Sequence, residues 1–401
     1  MSQIRVRNRL KLHENMASAT VTLTGAAAPA GTASVSGSTN ASGVVNLNTS
    51  ALPDGTYTLT VTPASTTADA VGPATASSPT PGERIFRNLT GSVTIASGRI
   101  TAGAVAATQR LNGEVLWASP SNLTVSLQPV WMRSPNQGGR GSSQISMIIV
   151  HHTGGPVIGP AINTFLSTSE QTSAHYLIDT DGQIVKMVQD SQRANHAGES
   201  HWAGVNGINS VSIGIEIVNA TGAYPTAQYT ALLELLARLR NTFGTLVPWN
   251  IVGHSDIATT DGVLGRKSSD PGLQFEWSRL EDRDFGMRRM VGPFPATIYA
   301  RFFNAFPTET LRSGDNDKKR IFGGAKRTTV TGNPIRELQD DLTHIGYFVG
   351  TPDGDFGGKT RGAVKMMQEH FFAGGRGHKS PDGRVDFQTA QLIKGVAGGR
   401  P

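Results

Sequence analysis

The sequence predicts a multidomain fold: an all-β, sandwich-like N-terminal domain, a central α/β domain with a mixed sheet, and a small C-terminal three-helix domain. One observation is length, because 401 residues exceed one ordinary domain of about 150 residues. The other is a change in hydrophobic period along the chain, from the alternation typical of strands to the spacing typical of helices. The predicted boundaries are residues 1–140 for the first domain, 143–285 for the second, 286–330 for a linker and 331–401 for the third.

Composition narrows the possible chemistry. The chain has no cysteine, which excludes a disulfide framework, a thiolate zinc finger and a cysteine nucleophile. Any metal site must therefore use His, Asp or Glu side chains. The 36 Lys and Arg against 30 Asp and Glu give a net charge of +6, which favours a polyanionic partner such as nucleic acid, a membrane surface or the bacterial cell wall, or is simply spread over the surface. Nucleic acid is not expected, because there is no recognised binding motif and no basic stripe with aromatics.

Hydropathy argues against membrane insertion. The basic start of the chain, with Arg9 and Lys11, is not followed by the apolar run of a signal peptide. No stretch of about 18 consecutive apolar residues is present either. The sequence therefore predicts synthesis in the cytoplasm without a signal peptide.

The N-terminal third has the pattern of half-buried strands. Tyr57, Leu59 and Val61 alternate with threonines after a Pro-Asp-Gly turn. The same alternation recurs at Val93 and Ile95, and at Leu123, Val125 and Leu127. Over a short stretch it resembles the Ig-like and transthyretin-like modules of secreted and phage-borne proteins. Such a pattern predicts a β-sandwich but does not indicate a function.

The central segment changes to buried strands and helices. Residues 144–150 form a near-continuous apolar run, typical of a strand covered on both faces. Thr226 is placed to cap a helix. Its apolar positions follow a helical period at Leu232, Leu233, Leu235, Leu236 and Leu239. Alternating strands and helices indicate an α/β domain, and the polar run from Arg312 to Arg320 indicates a connection after it.

Residues 331–401 have the spacing of short helices around a small core. Four apolar residues share one helical face: Ile335, Leu338, Leu342 and Ile345. Gly346 ends this helix and Thr360 opens another, whose apolar positions are Ala363, Val364, Met367 and Phe371. No repeat with a period of about 20–50 residues is evident along the chain.

Three separated segments carry side chains suited to metal chemistry. His151 and His152 end the buried strand, His254 follows a short apolar strand, and Asp270 lies in a Pro-Gly turn. Strand ends present side chains to a cleft while the sheet holds them in place. Two imidazoles and a carboxylate, with water in the fourth position, match an open catalytic zinc site. By spacing alone, hydrogen-bonded structural histidines are the alternative.

Five motifs in order carry a family resemblance. They are IIVHHT, SAHYLIDTDGQIVKMV, NHAGESHWAGVNGINSVSIGIEIVN, IVGHSDIA and DPGLQFEW. This combination resembles the type 2 N-acetylmuramoyl-L-alanine amidases, a zinc family that includes phage amidases and peptidoglycan recognition proteins. The resemblance implies a zinc hydrolase that cuts the amide between the lactyl group of N-acetylmuramic acid and the L-alanine of the peptide stem.

The resemblance also implies the ligands of the zinc ion. They fall on His151, His254 and Asp270. His151 is preferred to His152 because the family's ligand stands two residues before the Thr or Ser of this strand end. His152 is then expected to pack near the site.

The catalytic residues follow from the same resemblance. Glu216 falls on the family's catalytic glutamate, which takes a proton from water and passes it to the leaving amine. The isoleucines of its strand alternate with Glu216, so it faces away from them. Lys267 corresponds to a lysine that stabilises the oxyanion of the tetrahedral intermediate. It stands three residues before Asp270 instead of two, so the extra residue either bulges out or displaces the charge.

Substrate contacts are expected from three residues. His196 is predicted to line the substrate cleft, and His152 borders it. Trp202 either stacks on sugar or covers the core. His175, beside a tyrosine, is predicted to be a structural core histidine.

A second resemblance covers the C-terminal segment. Its motifs are IRELQ at 335–339, GY at 346–347, DGDFG at 353–357 and DGRV at 382–385. They look like the three-helix peptidoglycan-binding domain common in wall hydrolases. Such a tether raises the effective concentration of substrate at the catalytic site.

Together these patterns predict a Zn²⁺-dependent amidase whose partner is bacterial peptidoglycan. It would act at the cell wall or periplasm as a phage endolysin or an injected antibacterial hydrolase. Without a signal peptide, delivery needs a holin, a phage particle or a contractile secretion device, to which residues 1–140 would dock. Two alternatives stay open: a catalytically silent peptidoglycan receptor, and a structural component of a phage tail or injection particle.

Overall fold

The computed structural model describes residues 2–8, 18–25, 33–63, 84–86, 89–105, 113–119, 122–127, 129–260, 263–264, 269–287, 298–373 and 380–400. The chain divides into two compact units. The N-terminal unit comprises Met1–Asn136, Val157–Gln171 and Asp181–Gln189, and the second unit comprises Gln137–Pro156, Thr172–Thr180 and Asp190–Pro401.

Short strands dominate the first half of the chain and helices the last quarter. The strands are β1 Ser2–Asn8, β2 Thr20–Gly25, β3 Ser34–Ser38, β4 Val44–Leu47, β5 Gly55–Thr62, β6 Arg84–Phe86, β7 Leu89–Ala96, β8 Arg99–Val105, β9 Gly113–Ser119, β10 Asn122–Leu127, β11 Pro129–Met132, β12 Gln137–Gly139, β13 Met147–His152, β14 Tyr176–Ile178, β15 Ile184–Lys186, β16 Gln192–Ala194, β17 His201–Trp202, β18 Val205–Asn206, β19 Ser212–Ile217, β20 Ile251–Gly253, β21 Thr259–Thr260, β22 Val263–Leu264, β23 Ile321–Phe322 and β24 Ala325–Lys326. The helices are α1 Ile158–Leu166, α2 Thr226–Thr242, α3 His254–Ile257, α4 Ser278–Glu281, α5 Ile298–Ala305, α6 Pro334–Ile345, α7 Gly358–Phe372 and α8 Phe387–Gly399. Within the described ranges, none of these helices combines the length and the apolar character needed to cross a membrane.

The N-terminal unit is β-rich, as the alternating pattern predicts. Its strands form a five-stranded sheet in the order β3-β2-β5-β7-β8 and a four-stranded sheet in the order β4-β1-β10-β9. Tyr57, Leu59 and Val61 are buried on one face of β5, with the intervening threonines more exposed. One hydrophobic cluster includes residues of both sheets, among them Ile4 and Leu123. The side chains of Val125 and Leu127 lie outside those described.

The boundary between the first two predicted domains differs from the expected one. Within the N-terminal unit, β11 pairs in parallel with β15 and antiparallel with β6. The Ser134 hydroxyl and the Asn136 amide both donate to the Phe165 carbonyl in the last turn of α1. Residues 157–171 and 181–189 therefore pack with residues that precede position 140. The boundary differs because β11 pairs with a strand about 55 residues later in the sequence, and because Ser134 and Asn136 bind a carbonyl at the end of α1.

The second unit contains four parallel strands in the order β20-β13-β19-β14. The apolar run of β13 is buried from Met147 to Val150, as expected for a strand covered on both faces. Helix α2 follows the predicted period, but Thr226 is its first residue and Pro225 occupies the cap position without a side-chain hydrogen bond. Strands and helices alternate here, so the α/β prediction is confirmed.

The predicted linker is a folded part of the second unit from residue 298 onward. Phe302, Phe303 and Phe322 are buried in the same hydrophobic cluster as the helices that follow. The polar run between Phe303 and Phe322 is organised by Asp315, which is fully buried. Its carboxylate accepts hydrogen bonds from the backbone N–H groups of Arg312, Gly323 and Gly324. Charge in this segment therefore builds a turn and does not mark a flexible connection.

The C-terminal helices match their prediction closely. Ile335, Leu338, Leu342 and Ile345 are all fully buried on α6. Gly346 ends α6 with a φ of 126°, a backbone angle that favours glycine. Thr360 is the third residue of α7, which begins at Gly358.

The C-terminal segment contains a two-fold repeat that sequence inspection missed. The carboxamide oxygen of Gln339 accepts from the backbone N–H groups 14 and 15 residues later, and its nitrogen donates to the carbonyl at 16 and the threonine hydroxyl at 21 residues. Gln368 makes the same four bonds at the same offsets. The two copies share few residues besides Gln, Pro-Asp-Gly and Thr, so two repeats gave too little signal in the sequence.

Replacing either glutamine by methionine tests this repeat. Gln339→Met and Gln368→Met keep side-chain length but leave buried backbone groups unsatisfied, so each should lower the free energy of unfolding by about 3 kcal/mol. Urea denaturation followed by circular dichroism measures the change. Gln391→Met, on the exposed face of α8, is the control and should change stability by less than about 0.5 kcal/mol. If only one of the two substitutions lowered the free energy of unfolding, the two glutamines would not be equivalent.

Candidate metal centre

The carboxyl ends of three parallel strands bring the candidate residues together. In the sheet register, His151 of β13 lies opposite Glu216 of β19, and Val150 lies opposite Gly253 of β20. His254 directly follows β20. Because carboxyl ends of parallel strands meet at one edge, residues distant in sequence converge there.

Three potential ligand atoms face one another at this edge. His254 Nδ1 lies 3.0 Å from His151 Nδ1 and 3.0 Å from Asp270 Oδ2. His151 Nδ1 lies 3.6 Å from the same carboxylate oxygen. Donors on a tetrahedral zinc ion, with bonds of about 2.0–2.1 Å, are separated by about 3.3 Å. Among the described residues, this buried group is the one cluster of three or more His, Asp and Glu side chains with ligand atoms close enough to share a metal ion.

Hydrogen bonds behind the site orient His151. The Ser212 hydroxyl donates to the Ile208 carbonyl at 2.7 Å, so its oxygen accepts from His196 Nε2 at 3.1 Å. His196 Nδ1 then accepts from His151 Nε2, 3.0 Å away. This direction leaves the Nδ1 lone pair of His151 facing the site, as a metal ligand requires.

His196 is suited to this acceptor role. Burial lowers the pKa of His196 well below its usual range, and the neighbouring His151 lowers it further. The ring therefore stays neutral near physiological pH. The backbone N–H of His196 is fixed separately by the Asn209 side chain.

The other two candidate ligands, His254 and Asp270, are also oriented by hydrogen bonds. His254 Nε2 lies 3.2 Å from the Ala197 carbonyl, which only accepts, so the Nδ1 lone pair of a neutral His254 faces the site. Asp270 Oδ1 accepts the backbone N–H of His152 at 2.9 Å, leaving Oδ2 for the cluster. Burial alone would raise the pKa of Asp270. When the His151 and His254 rings are protonated, their hydrogen bonds and charges outweigh burial and hold that pKa well below its usual range.

Glu216 lies on the same face of the sheet as His151, because residues in register on parallel strands point the same way. Its side chain is half-buried. Ser212 and Gly214 share this face, four and two residues earlier. A Cβ on Gly214 would lie 2.5 Å from the His196 ring, so glycine here gives His196 its place beside His151.

Three further residues singled out from the sequence are His152, His175 and Lys267. His152 is half-buried; its ring Nε2 lies 2.8 Å from the Ser269 carbonyl, and it borders a cavity of about 230 Å³ that Tyr224 also lines. His175 is fully buried and accepts from the Gly214 amide, the structural position that was predicted. Lys267 lies outside the described residues.

Two expected substrate contacts are corrected. His196 is buried behind His151 and does not line the cleft. Trp202 is 1% exposed, and its ring packs 5.2 Å from that of Tyr347. Trp202 therefore belongs to the core, the second of the two alternatives that the sequence left open.

Several residues around the site were not singled out from sequence. Ser212 and Ala197 orient the candidate ligand histidines, and Asp256 holds the turn after β20 through the Gly253 amide. Strand alternation with Glu216 could have indicated Ser212. Ala197 acts through its carbonyl, and no side-chain signal reports such a contact.

The chain is similar to known amidases over this region. The family profile of N-acetylmuramoyl-L-alanine amidase matches residues 141–273, and that of a peptidoglycan binding domain matches residues 331–393. The 1,6-anhydro-N-acetylmuramyl-L-alanine amidase AmpD of Escherichia coli K12 is 39% identical over 111 residues, which are 27% of this chain and 57% of that protein. AmpD of Haemophilus influenzae is 30% identical over 167 residues, covering 37% of this chain and 88% of that protein. The resemblance predicted from the motifs is thus confirmed.

Among solved structures, one of the similar chains is the N-acetylmuramyl-L-alanine amidase AmiD of Escherichia coli in complex with anhydro-N-acetylmuramic acid-L-Ala-D-gamma-Glu-L-Lys. Its sequence identity is 22% and its TM-score 0.45, with 66% of this chain and 92% of that chain covered. The present chain spans little more than half the length of the first AmpD relative above.

The close approach of the His196 ring to Gly214 allows the role of His196 to be tested. Gly214→Ala should push the His196 ring away, cost about 1–3 kcal/mol in stability, and weaken metal binding by His151 about tenfold or more. Isothermal titration calorimetry with Zn²⁺ measures the affinity. Gly159→Ala is the control, because no heavy atom lies within 4 Å of the added Cβ. Equal zinc affinity in both variants would show that His196 does not orient the site.

Proposed function

Because the chain belongs to the N-acetylmuramoyl-L-alanine amidase family, we propose that it hydrolyses the amide between the lactyl group of N-acetylmuramic acid and the L-alanine of the peptidoglycan stem. The observation that carries this proposal is the convergence of His151, His254 and Asp270 beside Glu216. Peptidoglycan is the substrate that the C-terminal match also supports.

The ligand set fits a zinc ion. Two imidazole nitrogens and one carboxylate oxygen are donors that zinc prefers, and three protein ligands leave a position open for catalysis. His151, His254 and Asp270 would hold the ion. When bound, zinc supplies Lewis acidity that polarises a carbonyl and lowers the pKa of water.

Glu216 is the proton carrier in the proposed reaction. Its carboxylate accepts a proton from the attacking water as the C–O bond forms at the lactyl carbonyl. The same carboxyl group then delivers the proton to the alanine nitrogen as the C–N bond breaks. The half-buried position of Glu216 beside His151 supports this role, because a proton carrier must reach the reacting atoms.

The cavity beside Asp270 is the proposed place of the stem peptide. It is lined by polar and apolar residues of positions 219–221, 269 and 271–274, together with His152 and Tyr224. The Tyr224 hydroxyl donates to the Pro271 carbonyl at 2.6 Å, which fixes one wall. Lys267 stays the predicted partner of the oxyanion.

The route to the wall stays a prediction. Delivery as an endolysin or by a contractile injection particle, with residues 1–140 as the docking part, would be tested by isolating particles from producing cells and probing them for the protein. Protein found free in the lysate and absent from particles would contradict docking.

Glu216→Gln provides the direct test of catalysis. The amide cannot accept and deliver the proton, so release of L-alanine amino groups from purified sacculi should fall by about 10²–10⁴. Zinc affinity should stay within about twofold, since the substitution keeps the size and shape of the side chain. Glu234→Gln, on the exposed side of α2, is the matched control and should keep full activity.

In the wild-type protein, a chelator should abolish the release of L-alanine amino groups from sacculi, and added Zn²⁺ should restore it. New reducing sugar ends instead of amino groups would mean a glycosidase. Intact sacculi that still capture the protein would mean a silent receptor, and the proposed reaction would be wrong.

A further inference from the structure

A buried carboxylate joins the turn that carries His254 to the C-terminal helices. Asp256 is 1% exposed. Its Oδ1 accepts from the Tyr347 hydroxyl at 2.7 Å, and its Oδ2 from His370 Nδ1 at 2.8 Å. Tyr347 follows α6 and His370 lies on α7, so both donors come from the segment that matches a peptidoglycan binding domain.

The same carboxylate holds the backbone beside a metal-ligand candidate. Asp256 Oδ2 also accepts the Gly253 N–H at 2.8 Å, which closes the short helix α3 around His254. The orientation of the His254 ring is therefore coupled to the position of Asp256. Two of the three donors that fix this position are Tyr347 and His370.

The two turns that carry His254 and Asp270 are called the ligand turns here. A second contact from the C-terminal segment is made with the turn of Asp270. Glu369 Oε2 accepts the Ser269 backbone N–H at 3.1 Å, one residue before Asp270. Ser269 has a φ of 64°, which a non-glycine residue rarely adopts, so an external partner helps to maintain this turn. The two ligand turns are themselves tied, because the Ser255 N–H donates to the Asp270 carbonyl at 2.8 Å.

An aromatic stack completes the contact. The His370 ring lies 4.0 Å from the Trp277 ring, with an interplanar angle of 18°. A Cβ on Gly253 would lie 3.2 Å from Trp277 and 2.8 Å from Pro271. The contact between His370, Trp277 and the ligand turns is therefore closely packed, and an added methyl group at Gly253 would not fit.

We propose that the C-terminal helical segment positions the metal ligands of the catalytic centre, in addition to any contact with the wall. Tyr347 and His370 act through Asp256 on His254, and Glu369 acts through Ser269 on Asp270. These are positioning residues, since none touches the reacting atoms. The proposal rests on the metal centre of the proposed function, and it predicts a defect in metal binding where a simple anchor would give a defect in wall binding.

The test uses the full chain and three variants. Tyr347→Phe removes one hydroxyl and keeps the ring against Trp202. Glu369→Leu removes the acceptor for Ser269, and Glu369→Gln restores one. Gln368→Met is the matched control, because it disrupts a buried hub on the same helix without touching either ligand turn.

Zinc affinity is measured by competition with a chromogenic chelator, the Co²⁺ form by its visible absorption spectrum, and wall affinity by cosedimentation with sacculi. Tyr347→Phe and Glu369→Leu should weaken zinc binding about tenfold and shift the Co²⁺ spectrum, with sacculus binding unchanged. Glu369→Gln should recover most of the affinity.

Each other outcome overturns the inference. Wild-type affinity and spectrum in both variants would exclude a positioning role. An equal loss of zinc affinity in Gln368→Met would assign the effect to general destabilisation. A wild-type protein that binds no metal would remove the proposed function together with this inference, whereas a metal-binding, active wild type with unaffected variants removes the inference alone.

Discussion

The parallel register between β13 and β19 is the constraint on which the centre depends. It sets His151 beside Glu216, and the register with β20 sets His254 one position beyond the last paired residue. Side chains alternate between the two faces of a strand, so a slip by one residue would present His152 in place of His151. Such a slip is costly, because it would re-pair every isoleucine of β19 with a different neighbour on β13 in a closely packed core.

Hydrogen bonds that end on backbone carbonyls then decide which nitrogen of each histidine faces the centre. A carbonyl only accepts, so the chain from His151 through His196 and Ser212 to the Ile208 carbonyl has a single direction. His254 reaches the same result with one carbonyl. The geometry therefore presents two Nδ1 lone pairs before any ion binds, and little reorganisation is left to oppose binding.

Sequence patterns were sufficient where periodicity and side-chain chemistry carry the information. The β5 alternation, the buried run of β13 and the apolar face of α6 all appear as predicted, and His151, His254 and Asp270 converge. The patterns failed where backbone atoms or distant pairing decide. Asp315 and Gln339 act on backbone N–H groups, so a charged run and a glutamine read as ordinary surface. The roles of His196 and Trp202 depend on burial by segments distant in sequence, which no local window contains.

Helix α7 shows how one element serves two purposes. Successive residues on a helix point about 100° apart, so Gln368 faces the 382–384 turn while Glu369 and His370 face the ligand turns. The inward bonds of Gln368 belong to the repeat and would be needed in any isolated copy of this domain. Glu369 and His370 have hydrogen-bond partners outside the repeat, Ser269 and Asp256, and Glu369 also pairs with Lys365 one turn earlier on α7. On the positioning role that we propose for α7, the C-terminal segment cannot be exchanged for another module without also replacing the support of the turns that carry His254 and Asp270.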